Sequence, residues 1–210
     1  MAAVPENPWF RPPRYYHWYR FGPGELAFLS ELRKCTATWT LPETENEVLR
    51  NEDEAALVAV AYVSDPERGA GLATFGVHMA GPTVRGDLVS GHSYAMYYLP
   101  KEPTGLAMEA TGNSRVLAEA AAAWFESVLQ KPVVRHEWEC DGQIYARLYE
   151  FADTGQGLAG MYNEDLAPHE VTESLLTHNH GANHSWVDVG ELGRFVDPTR
   201  TVQVWGRPLA

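Results

Sequence analysis

The stretch from Asn113 to Phe151 constrains this chain more than any other, because it joins a helix signature to a hairpin signature across a proline. Ala118 to Ala123 is five alanines and one glutamate. Alanine gives up no side-chain entropy in a helix, so the run favours one. Leu117, Ala121, Trp124 and Val128 recur at helical spacing and line one face, which Phe125 and Leu129 widen. Asn113 or Ser114 can cap the first turn through a side-chain oxygen. Pro132 forbids continuation. The spacing predicts a helix over 114–130.

Beyond Pro132, the dipeptide Asp141-Gly142 suits a type I′ turn, whose two central residues both need positive φ. A two-residue loop pairs Cys140 with Gln143, Trp138 with Tyr145, His136 with Arg147 and Val134 with Tyr149. Glu137 then opposes Ala146. A lone hairpin is marginal in water, so the helix is expected to cover a sheet that contains this one.

Earlier in the chain, Ala55 to Val63 is a continuous apolar run rich in valine, whose length and Ser64-Asp65-Pro66 stop predict a buried strand. Residues 72–79 and 87–99 read as further strands. Glu25 to Lys34 is a short amphipathic helix, and Thr36 to Leu41 alternates weakly as a strand would. The acidic stretch 42–54 and the segment 100–112 read as loop and linker. The order of several strands, one helix and then a hairpin predicts an α+β fold. It consists of an antiparallel sheet from 55–63, 72–79, 87–99, 133–139 and 144–151, with one long helix (about 114–130) on one face. Residues 1–24 form a proline- and aromatic-rich arm, and 25–210 a single α+β domain.

The arm carries Pro5, Pro8, Pro12, Pro13 and Pro23, which rule out a continuous helix. In it Trp9, Phe10, Tyr15, Tyr16, Trp18 and Tyr19 interleave with Arg11, Arg14 and Arg20. These residues are candidates for docking into a partner groove or stacking on single-stranded nucleic acid. Alternatively, the rings pack on the protein's own body, since aromatics are costly to leave in water. A formal charge of −12 repels phosphate backbones and disfavours nucleic acid as a partner.

The densest ionisable cluster is THNHGANHSW, in which His178, His180 and His184 have a spacing that can converge on one divalent transition metal such as zinc. The same residues also suit a solvated connector. Gly155, Gly157 and Gly160 match the glycine spacing of a dinucleotide loop, but Pro168 interrupts the helix such a loop needs, so they read as a turn. Trp124, Trp138, Tyr145 and Tyr149 could line a pocket between helix and sheet, or simply fill a core. Cys35 and Cys140 lack zinc or redox spacing and read as separate thiols. There is no secretory signal and no apolar run near the ~20 residues a membrane helix needs. A cytoplasmic protein with no cofactor is expected.

Two functions follow from these observations. One is a non-enzymatic accessory, regulatory or assembly component that binds a protein partner or forms a homo-oligomer. The other is a metal-dependent enzyme or metal-binding protein built on His178, His180 and His184.

Overall fold

A computed structural model describes residues 7–12, 21–41, 44–50, 56–92, 96–178 and 189–209. They form two compact units. The first holds the described residues up to Ser64 together with Ala73–Leu129, and the second Asp65–Leu72 with the chain from Gln130 onward. Both are α+β, and no helix among the described residues is long and apolar enough to cross a membrane.

The first unit is built from α1 (Pro23–Thr36), β1 (Asn46–Arg50), β2 (Leu57–Ser64), β3 (Gly71–Ala80), β4 (Thr83–Leu88), β5 (Ser90–His92), β6 (Met96–Tyr98), β7 (Met108–Thr111) and α2 (Ser114–Leu129). Its main sheet runs β1-β2-β3-β4-β7, and β5 and β6 pair as a separate ribbon. The predicted helix is α2, and it packs on β4 and β7 and against α1. Asn113 caps it, its Oδ1 accepting from the backbone N–H groups of Arg115 and Val116. The Ser114 hydroxyl instead donates to Gly24 O of α1. Gly86 makes the helix–sheet approach possible, since a Cβ there would lie 3.2 Å from Trp124 Cε3 and 2.9 Å from Met108 Cγ. The valine run is β2. Its first five residues are all buried, so both faces of the sheet are covered at this strand.

The predicted hairpin is also present, as β8 (Val133–Cys140) and β9 (Gln143–Phe151). Asp141 and Gly142 have φ of 51° and 78°, as a type I′ turn demands. It does not join the sheet under α2. It builds the second unit's own sheet, ordered β10-β9-β8-β11, with β10 at Gly157–Tyr162 and β11 at Arg200–Trp205. The second unit adds α3 (His169–His178) and a 3-10 helix at Val189–Arg194. Around Trp138 its core gathers Tyr145, Ala146, Leu175 and Leu192, and the Trp138 indole N–H donates to Val196 O at 2.8 Å.

The hairpin's register departs from the simple pairing. Cys140 opposes Gln143, but a bulge between Trp138 and Glu139 shifts everything beyond it by one residue. Trp138 therefore opposes Ala146 rather than Tyr145, His136 opposes Leu148, and Val134 opposes Glu150. Glu137 faces Arg147, and Arg135 faces Tyr149. On that face Glu137 thereby gains a basic partner, while Glu139 still opposes Ile144.

Other departures are local. The 87–99 run divides into the end of β4 plus β5 and β6. The acidic stretch contains β1 and the linker contains β7, both short edge strands of a sheet buried by other elements. Thr36 ends α1 rather than beginning a strand. Gly155 lies in the turn before β10, at φ of 67°, while Gly157 and Gly160 belong to β10, paired with Glu150 and Leu148 of β9.

Candidate functional site

The main sheet of the first unit sorts its residues by face. Phe75 meets Trp124 of α2 edge-on at 6.2 Å between ring centres, so Phe75, Val77 and Gly86 face the helices. Gly76 faces the other way, and a Cβ on it would lie 2.8 Å from Val89 Cγ1 and 3.1 Å from Val60 Cγ1. Strand alternation and the pairings Glu47↔Val60, Gly76↔Asp87, His78↔Arg85 and Arg85↔Glu109 then place Glu47, Tyr62, His78, Arg85, Asp87 and Glu109 on this second face, opposite α1 and α2. Each of the five strands contributes to the row. Arg50, on the opposite face of β1, pairs with Glu25 of α1 at 2.5 Å.

At one end of the row, Tyr62 of β2 and Tyr97 of β6 meet at 6.0 Å between ring centres and 69° between planes. Tyr62 and Tyr97 (the latter at 2.9 Å) can each donate to Glu47 Oε1, and either hydroxyl can donate to the other instead; with one proton apiece, two of these three hydrogen bonds form at a time. Burial pushes the pKa of both phenols up. Hydrogen bonding to Glu47 adds to the rise for both, and the contact with Tyr97 raises Tyr62 further. Both rings are therefore fixed as neutral donors at physiological pH, and Glu47 as their shared acceptor. Leu49, Val58, Val60 and Val89 surround the cluster.

At the other end, Asp87 is buried and its carboxylate accepts from Leu88 N, Thr104 N and the Thr104 hydroxyl. Trp124 Nε1 donates to Leu106 O at 2.7 Å. These bonds tie the 99–107 segment to β4 and α2 and leave a cleft of about 210 Å³. At its polar side Arg85 Nε stands 3.7 Å from Glu109 Oε2, and both side chains are more than half exposed.

The second unit holds a different centre. Arg135, 1% exposed, reaches Asp65 Oδ2 at 2.5 Å and Glu67 Oε2 at 2.9 Å, and its Nε lies 3.0 Å from Glu137 Oε1. Tyr149 donates to Asp65 Oδ2 at 3.0 Å. Arg147 and Arg68 stand 3.4 and 3.7 Å from Glu137 Oε1. Burial acts to raise the Asp65 pKa, but bonds from Arg135, the Glu67 N–H and Tyr149 outweigh it and hold the carboxyl below its ordinary value. Burial likewise opposes the charge on Arg135, and its carboxylates override that and push its pKa up. Burial, with the bond to Asp65, raises Tyr149. This network was not visible in the simple hairpin pairing. Its available signal was Arg135 and Glu137 two residues apart on one strand face, with Arg147 on the strand opposite.

Of the arm residues, Trp9 and Phe10 are buried in the first unit. Phe10 stacks on Phe125 of α2 at 4.8 Å and Trp9 meets Trp39 at 5.0 Å. Asn46 Oδ1 accepts from Phe10 N, and Arg33 donates to Trp9 O. Arg11 is exposed and donates to Asn7 O. Arg14, Tyr15, Tyr16, Trp18, Tyr19 and Arg20 lie outside the described residues, as do His180 and His184. His178 is the last residue of α3. Among the described residues no three His, Cys, Asp or Glu side chains are grouped to hold a metal ion. Of the four aromatics expected to line a pocket, Trp124 belongs to the first unit and Trp138, Tyr145 and Tyr149 to the second. Each is more than nine-tenths buried. Cys35 and Cys140 are free thiols.

Comparison with protein-family models, with curated proteins and with solved structures finds no match.

Proposed function

We propose that this protein acts by binding a protein partner, as a non-enzymatic accessory or assembly component. The observation that carries this reading is how its buried charges are used. Asp65, Glu137 and Arg135 neutralise one another in the second unit. Asp87 is bonded by Leu88 and Thr104, and Glu47 by two phenols. A general acid or base must keep a lone pair or proton within reach of a substrate, and these groups direct theirs inward. What the first unit presents outward is different. Leu26 and Val116 are 50% and 45% exposed, each two residues beyond the Gly24–Ser114 bond that joins the starts of α1 and α2. Exposed aliphatics at adjoining helix starts are interaction chemistry.

The charge of −12 sets the partner's character. Two copies of this chain repel, whereas a basic protein surface is attracted, with association that weakens as salt rises. Light scattering after size exclusion, at low and high salt, tests this with the full chain alone and mixed with basic proteins from the same cell. The expected result is a complex that Leu26→Asp and Val116→Asp disrupt. A chain that stays monomeric, and whose complexes ignore both substitutions, overturns the reading.

A further inference from the structure

The cleft on the face opposite α1 and α2 has the features of a preformed ligand site. Its roof, the 99–107 segment, is held at Thr104 by a buried carboxylate and at Leu106 by a buried indole. Burying Asp87 is costly unless it is fully bonded, and here its bonds go to the roof. Its wall is apolar, formed by Leu99, Pro100, Pro103 and Ala107. Its charged side is a pair of opposite sign, Arg85 on β4 and Glu109 on β7, directly opposed in register. That pair is long at 3.7 Å and more than half exposed, so opening it to admit a ligand costs little.

We propose that this cleft binds a small zwitterion with an aliphatic tail, the chemistry of a free apolar α-amino acid. The Arg85 guanidinium presents a planar fork that suits a carboxylate. Glu109 takes the ammonium. The tail lies against Leu99, Pro100, Pro103 and Ala107. The volume of about 210 Å³ falls below the ~300–1,000 Å³ of sites for larger molecules, which limits the ligand to a single residue rather than a peptide or nucleotide. This inference concerns a site apart from the exposed helix starts and stands or falls independently of partner binding.

Titration calorimetry on the full chain tests it with four probes: L-leucine, leucinamide, 4-methylpentanoate and glycine. L-leucine is expected to bind, and loss of the carboxylate, the ammonium or the tail is each expected to weaken binding about tenfold or more. Arg85→Met is expected to abolish discrimination between L-leucine and leucinamide. Glu109→Gln is expected to abolish discrimination between L-leucine and 4-methylpentanoate. Both positions are exposed, so both variants should unfold at the parent temperature, and a thermal scan confirms that. No heat from L-leucine at millimolar concentration overturns the proposal, as does binding that both variants leave intact.

Discussion

The two units both bury charge, and they neutralise it by opposite means. In the second unit a guanidinium sits among three carboxylates, with Arg147 and Arg68 closing the outer side. In the first unit the carboxylates of Glu47 and Asp87 are met by neutral donors: two phenols, a hydroxyl and backbone N–H groups. An ionic centre ties its members together, so losing one strands the others. A carboxylate served by neutral donors loses one hydrogen bond at a time. The first arrangement suits a fixed structural joint, while the second leaves a face whose far end can stay open as a cleft.

The sharpest break of this comparison is Arg135→Met. It leaves Asp65 and Glu137 buried with their principal counter-charge gone, so stability should fall by about 3–5 kcal/mol in urea denaturation. Adding Asp65→Leu and Glu137→Met to the same chain should recover most of the loss, because a buried ion network can be replaced by apolar side chains of similar volume. A single variant that loses less than about 1 kcal/mol would show that water reaches this centre. Next in size is Asp87→Asn, the first unit's counterpart. The amide keeps an acceptor for Thr104 but adds a donor where the structure offers N–H and O–H groups. It is expected to cost about 1–3 kcal/mol and to loosen the 99–107 roof, read as faster amide exchange at Thr104 and Leu106.

The comparison also predicts opposite responses to pH. Asp65 has a folded pKa below its unfolded value. Its contribution is present above the unfolded value near ~4 and is lost as pH falls through the folded one. The second unit's centre is therefore an acid-sensitive element. Arg135→Met should flatten the acid limb of the stability curve, measured by urea midpoints at successive pH values. An unchanged limb would assign acid unfolding to other carboxylates.

How far the sequence could be read follows from which forces are local. The alanine run, its Asn113 cap and the Asp141-Gly142 turn are encoded within a few residues, and helix and hairpin both lie where those signals place them. The sheet each element joins is decided by long-range packing. Nothing near Pro132 says that α2 covers β4 and β7 while the hairpin builds a separate sheet. Edge strands such as β1 and β7 are short and half polar, so they read as loop until neighbours are known. The bulge after Trp138 is one extra residue without a glycine to announce it, and it alone sets Glu137 against Arg147. The row opposite α1 and α2 was legible in part, since period-two alternation puts His78 with Gly76 and Arg85 with Asp87. Only strand order brings Glu47 to Tyr62 and Tyr97.

The smallest expected effect sharpens the comparison most. Tyr62→Phe keeps the ring against its neighbours and removes one hydroxyl from a site where Tyr97 still donates to Glu47 at 2.9 Å. Because Tyr62 is only half-buried, water can take the vacated place, and the loss near neutrality should be about 1 kcal/mol. The alkaline limb gives the decisive reading. Both phenols have folded pKa values above their unfolded ones, so their contribution is complete below about pH 10 and is lost as pH rises through the folded values. Without Tyr62 one fewer proton separates the two states. Stability should then decline less steeply above about pH 10, by up to ~1.4 kcal/mol per pH unit. Parallel alkaline limbs in the parent and Tyr62→Phe would mean that the phenols are not held neutral by this cluster, and the contrast between the two units would then lose its chemical basis.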